Sequence, residues 1–241
     1  MSKIQNFGEL AQNDLRKKAL AIAEAGLEAI DTRKIIRDTV VLTEEKLVVK
    51  GRDFLLASVG RIFVVGVGKC SLDAAGALEE ILGSRISGGI VADIREGSLA
   101  RIKYYQATHP FPSEENIRIT SEIIKLLSGL EENDLVVFIV SGGGSTILCQ
   151  PPGLDYQDEA AVLDRLIRRG TEIQEINTLR KHMSLARGGH LAKYAYPARV
   201  VSLIFSDVVG NQPEFVSSGP TVRDTPTLEA AKKILEKPNS Q

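Results

Sequence analysis

Three stretches of this 241-residue chain run largely apolar sequence straight into glycine or serine: RIFVVGVG (61–68), DLVVFIVSGGGST (134–146) and RVVSLIFSDVVGN (199–211), the last interrupted only by Ser202. A strand with one wet face alternates apolar and polar residues. These do not, so they predict strands covered on both faces, as in a parallel sheet. Such coverage needs helices between the strands, and the intervening segments carry helical patterns. The expected class is α/β, with a mostly parallel sheet and helices on both faces.

Residues 10–30 place Leu10, Leu15, Ala19, Ile22, Ala23 and Leu27 near one helical face, and TVVL and KLVVKG follow as short extended segments. KCSLDAAGALEEILG (69–83) predicts a helix that Gly83 stops. ISGGIVAD (86–93) and IKYYQATHPFP are the next strand candidates. A helix is expected over 113–130 with Ser113 as its cap. Residues 158–195 predict two or three helices broken near Gly170 and at Gly188–Gly189, and PTLEAAKKILEK (226–237) a last one. Without repeats, low-complexity tracts or linkers, the expectation is one domain over residues 1–241.

In an open α/β sheet, ligands bind beyond the carboxyl ends of the strands. Here those ends carry GVGKCS (66–71), SGGGST (141–146) and SDVVGNQP (206–213), with THPFP (108–112) after a fourth strand. Gly66, Gly68, Gly142, Gly143 and Gly144 let backbone approach a ligand. Ser141, Ser145 and Thr146 add hydroxyls, which together suit a phosphate or carboxylate. The alternative is a tight strand-to-helix crossover with small residues for packing. Lys69 opens a helix against its dipole, which points to a role at an anion; a solvated lysine is the alternative. FVVGVGKC is not a phosphate-binding loop of the Walker A kind, since Phe63 and Cys70 stand where Gly and Ser or Thr belong. Ser71 where a third glycine is needed excludes a dinucleotide fingerprint. TLRKHMSLARGGHLA gathers Arg180, Lys181, His182, Arg187 and His190, either an ordinary charged helix face or the basic wall of a pocket for a small acid.

A formal net charge of −1 gives no global basic field for nucleic acid or an anionic membrane. No apolar run nears the ~20 residues of a membrane span. Two cysteines, Cys70 and Cys149, make no disulfide framework and no zinc-ligand spacing appears, so the expected location is cytoplasmic.

VGVGKCSLDAAGAL, HPFPSEENI, SGGGST with a following PPG, INTLRKHMSLARGGHLA and SDVVGNQPEFVSSGPTVRDT occur in one order. Together they resemble the N-terminal domain of the glycerate 2-kinases of the MOFRL-associated type, also labelled hydroxypyruvate reductases. The resemblance covers nearly the whole chain. It implies a Rossmann-like domain and phosphoryl transfer from ATP to the 2-hydroxyl of D-glycerate, giving 2-phosphoglycerate, with Mg²⁺. It also implies a cleft against a C-terminal MOFRL domain, which these 241 residues do not contain. A separate C-terminal-domain chain or a homodimer is then the expected partner. Reductase chemistry is discounted, because no Gly-x-Gly-x-x-Gly turn for a nicotinamide is present.

Carried over position by position, Lys69 resembles the family's reactive-site lysine, with Gly66, Gly68 and Ser141 to Ser145 as the anion cradle. His109, Arg180, Lys181, His182 and Arg187 are implied to face substrate. Asp207 is implied as a catalytic residue and Mg²⁺ ligand, and Ser218, Gly219 and Pro220 match an SGPT turn. The chain departs from the family at three places. Asn211 stands where an aspartate is usual and cannot take a proton at neutral pH. Arg187 replaces a usual lysine, and Ser113 a usual aspartate, where an equivalent cap is expected. These departures leave two alternatives to a kinase: a non-catalytic domain that binds a nucleotide or small acid, and a subunit of a split kinase.

Overall fold

The computed structural model describes residues 2–236. Its centre is a five-stranded sheet of β4 (Ile62–Val67), β5 (Ile86–Asp93), β6 (Lys103–Gln106), β7 (Leu135–Ser141) and β8 (Arg199–Phe205). The order is β6-β5-β4-β7-β8, and all four pairings are parallel. The chain steps outward from β4 to β5 to β6, then returns across the sheet to β7. The switch point of this Rossmann-like order therefore lies between the carboxyl ends of β4 and β7.

Alternate residues of the apolar runs serve opposite faces. Ile62, Val64, Val137 and Ile139 meet Ala74, Ala75, Leu78 and Leu82 of α4 (Ser71–Leu82). Phe63, Val65, Val136 and Phe138 meet Ile119, Ile123 and Leu127 of α5 (Glu114–Leu127). These three α5 residues, spaced by four, are fully buried; each contributes about 1.5–3 kcal/mol. The short α6 (Gly144–Ile147) follows the glycine turn. A separate apolar cluster joins α7 (Tyr156–Arg168), α8 (Ile173–His182) and α10 (Leu228–Glu236), and α9 (His190–Ala195) leads into β8. Residue 237, the expected end of the last helix, lies outside the described residues.

The N-terminal region is more divided than its pattern predicts. The single helix expected over 10–30 is α1 (Phe7–Leu10) and α2 (Asp14–Ala29), the latter capped by Asn13, whose side chain accepts from the Arg16 amide. TRKIIRDT, read as no element, forms α3 (Thr32–Thr39); the Asp31 side chain accepts the Lys34 amide and Ile36 is buried. The extended segments form β1 (Val40–Leu42) and β2 (Lys46–Val49), and a third strand, β3 (Arg52–Leu55), completes an antiparallel sheet. Lys50 and Gly51, both at positive φ, make the two-residue turn between β2 and β3. Gly83 ends α4 at φ 51°, as expected. Ser113 occupies the cap position of α5 but does not cap through its side chain. Its hydroxyl instead donates to Asn116 Oδ1 at 3.2 Å. Among the described residues no helix is long and apolar enough to cross a membrane.

Candidate functional site

The loops after β4 and β7 touch each other at the switch point. Gly68 sits at φ 116°, and a Cβ there would lie 2.3 Å from both the carbonyl and hydroxyl oxygens of Ser141. The Lys69 amide donates to the Gly142 carbonyl at 3.0 Å, and the Cys70 amide to Ser141 Oγ at 3.3 Å. Gly68→Ala therefore meets both a strained φ and a backbone clash. We expect it to lower stability by at least about 1–3 kcal/mol, read as a fall in the urea unfolding midpoint.

The glycines after Ser141 are each occupied by a neighbour at the place of a side chain. A Cβ on Gly142 would lie 2.1 Å from Asp207 Oδ2. One on Gly143, at φ 89°, would lie 3.1 Å from Lys69 Cε and 3.4 Å from the His109 ring, and one on Gly144 2.3 Å from Ser217 Oγ. The stripped turn thus lets a lysine, a histidine and a carboxylate converge on one stretch of backbone. Lys69, His109 and Asp207 are exposed. Neither the Lys69 ammonium nor the Asp207 carboxylate has an ion-pair or hydrogen-bond partner among the described residues. An adjoining open cleft of about 530 Å³ is lined by Lys69, Ser141, Gly142 and Asp207 on one side and Ile30 and Ile35 on another.

Desolvation holds the His109 imidazole below its ordinary pKa of 6.5, and the Lys69 and Arg180 cations push it further down. His109 is thus neutral at pH 7. Lys69→Met is expected to move its NMR titration midpoint back toward 6.5, and an unmoved midpoint would separate the two side chains.

The basic segment does not form one wall. Arg180 is half-buried; burial, then the Arg187 charge, pushes its pKa down to about 10, and its Nε is buried without a partner. Lys181 is 3% exposed, its Nζ donating to Asp224 Oδ1 at 3.1 Å and lying 5.6 Å from the centroid of the Phe215 ring. His182 Nδ1 is bound to the Thr178 carbonyl at 2.9 Å. Arg187 is fully buried: Nη2 donates to Glu159 Oε1 at 2.7 Å, Nε to the Ser145 carbonyl at 2.9 Å and Nη1 to the Arg180 carbonyl at 3.3 Å. The structure brings Lys69, His109, Asp207 and the glycine turn together, with Arg180 near enough to act on His109. It places Arg187 in a buried ion pair and Lys181 in a part-buried one instead, because each has a carboxylate from elsewhere in the fold.

Asn211 lies on an exposed loop at φ 52°, a left-handed conformation that asparagine adopts more readily than most residues. Ser217, Ser218 and Gly219 also have positive φ in succession. Ser217 Oγ donates to the Ser141 carbonyl at 2.5 Å, and the Ser145 and Ser218 hydroxyls are 2.9 Å apart. Ser217, Glu159 and Asp224 belong to this arrangement without any local sequence pattern that marks them. Burial pushes the thiol of Cys149 up to about 12, with the Glu159 charge adding to it, and burial also raises that of Cys70. Among the described residues no cluster of three metal-binding side chains occurs.

Comparison with known proteins bears on this arrangement. A family model described as a domain of unknown function (DUF4147) matches residues 18–241. Glycerate 2-kinase of Pyrococcus horikoshii is 37% identical over 224 residues, which cover 92% of this chain and 50% of that protein. The chain belongs to the DUF4147 family. A crystal structure of a P. horikoshii protein superposes with a TM-score of 0.85 at 36% identity, covering 93% of this chain and 51% of that one. The crystal structure of glycerate kinase from Thermotoga maritima superposes with a TM-score of 0.80 at 34% identity, over 92% of this chain and 51% of that one. This DUF4147 domain spans about half the length of the relatives it matches.

Proposed function

We propose that this domain carries the phosphoryl-transfer site of a kinase that uses ATP to phosphorylate the 2-hydroxyl of D-glycerate, giving 2-phosphoglycerate. The observation that supports it is the placement of an ammonium, Lys69, and a carboxylate, Asp207, neither with a partner among the described residues, on either side of a side-chain-free turn at the switch point. Phosphoryl transfer asks the protein mainly for positioning and charge stabilisation. The relatives' names supply the substrate class.

In this reading the turn from Ser141 to Ser145, with Gly68 packed against it, lets phosphate oxygens approach the backbone, whereas Gly66 is buried inside β4 between Val91 and Ile139 and takes no part. Lys69 stabilises charge on the transferring group. Neutral His109 faces the substrate, and Arg180 offers a buried Nε that an anion would satisfy. Asp207 is the residue that would hold Mg²⁺. A single free carboxylate fits this role, because Mg²⁺ usually takes one or two carboxylates together with substrate phosphates. When bound, the cation neutralises phosphate charge.

The site is open to water, and transfer requires water to be excluded. Phe111 and Val209, on the loops that carry His109 and Asp207, are 73% and 97% exposed. These exposed apolar side chains favour a second wall over the cleft, supplied by a C-terminal domain in the same or a separate chain, or by a second copy.

Asn211 favours a second reading, a domain that binds nucleotide or small acid without turnover. The variant Asn211→Asp separates the two. A positioned base contributes about 10²–10⁴ in rate, so the kinase reading predicts at least about a tenfold gain in kcat. ATP binding by calorimetry with unchanged, negligible turnover in both forms would leave the binding reading standing.

A further inference from the structure

We propose that the buried Arg187–Glu159 pair is a positioning device for the glycine turn rather than a substrate contact. This rests on reading the 141–146 turn as the phosphate cradle. The guanidinium and carboxylate are 0% and 1% exposed, so no ligand reaches them without unfolding. A buried ion pair is a poor source of net stability, because desolvation offsets the attraction. What distinguishes this one is the use of the remaining donors. While Nη2 holds Glu159 on α7, Nε holds the Ser145 carbonyl behind the turn, and Nη1 holds the Arg180 carbonyl in the last turn of α8.

One planar fork therefore fixes three segments against each other: the helix carrying Glu159, the helix presenting Arg180, and the turn against which Lys69 and Asp207 lie. The Ser145 and Ser218 hydroxyls, 2.9 Å apart, fasten the same turn from the side of the 216–219 loop. A lysine at 187 keeps the charge opposite Glu159, but one ammonium lacks the fixed fork that reaches three acceptors. Arg187 thus acts on the site only through Ser145 and Arg180.

The test removes both charges together, so that no uncompensated ion is left inside. In the double variant Glu159→Leu/Arg187→Met, thermal stability stays close to that of the wild type, as replaced buried pairs commonly do. Amide exchange by mass spectrometry over residues 141–149 is then expected to rise about tenfold or more, with exchange in the central strands unchanged. Arg187→Lys is expected to give a smaller rise at the same peptide, and it serves as the test if the double variant does not fold. Unaltered exchange over 141–149 in the folded variants overturns the proposal. ATP titrated calorimetrically into the wild type checks the cradle reading separately. Faster exchange without ATP binding keeps the positioning role and removes the phosphate. Binding that weakens in step with the exchange supports both.

Discussion

Arg187→Met alone is expected to lower folding stability by about 3–5 kcal/mol, the cost of leaving one member of a buried ion pair without its partner. Glu159 would keep a buried charge with Cys149 Sγ, 3.4 Å away, as its remaining hydrogen-bond partner, and the carbonyls of Ser145 and Arg180 would each lose a donor. For a domain of this size the loss corresponds to a fall of roughly 6–20 °C in melting temperature, and it is a large share of the 5–15 kcal/mol typical of a folded domain. The contrast with Glu159→Leu/Arg187→Met is the informative part: the single change is more damaging than the double. A single variant as stable as the wild type would mean that the two side chains do not neutralise one another in solution.

Lys69→Met carries the largest expected effect on activity. Removing one charge-stabilising donor from a transition state typically costs about 10²–10³ in kcat, and Lys69 is the cation seated against the Gly143 backbone. Stability should change little, since the ammonium is exposed and holds no partner among the described residues. The prediction is a loss in kcat larger than any rise in the KM for ATP, with an unchanged unfolding midpoint. A rise in KM alone would make Lys69 a binding residue that treats substrate and transition state alike.

Much of this architecture is written locally. The runs of β4 and β7, ending at Gly68 and Ser141, are buried at every position because helices cover both faces of the sheet, and that demand is visible without any partner; edge strand β8 is only partly buried and tolerates Ser202. The glycine turn and Lys69 are legible for a related reason: an L-residue at Gly142 or Gly144 would collide with Asp207 or Ser217, so the sequence must be stripped there. The rest depends on contacts distant in sequence. TRKIIRDT has too few apolar residues to announce α3, whose helix is secured by Asp31 and by burial of Ile36. The turn residues Lys50 and Gly51 give a weaker hairpin signal than Asn-Gly, so the sequence does not announce β3. Arg187 reads as one more charge on a basic helix face. Its burial is decided by Glu159, 28 residues earlier, and no periodicity reports that pairing. Lys181 is diverted in the same way by Asp224, 43 residues later.

The central claim is that the switch-point crevice transfers a phosphoryl group. It is tested most directly by incubating the purified chain with ATP, Mg²⁺ and D-glycerate, alone and with the C-terminal half of the P. horikoshii glycerate 2-kinase added, and reading the product by ³¹P NMR. The account predicts 2-phosphoglycerate in at least the supplemented reaction, and its loss with Lys69→Met. No phosphoglycerate in either reaction, while the full-length P. horikoshii enzyme forms it alongside, would contradict the account.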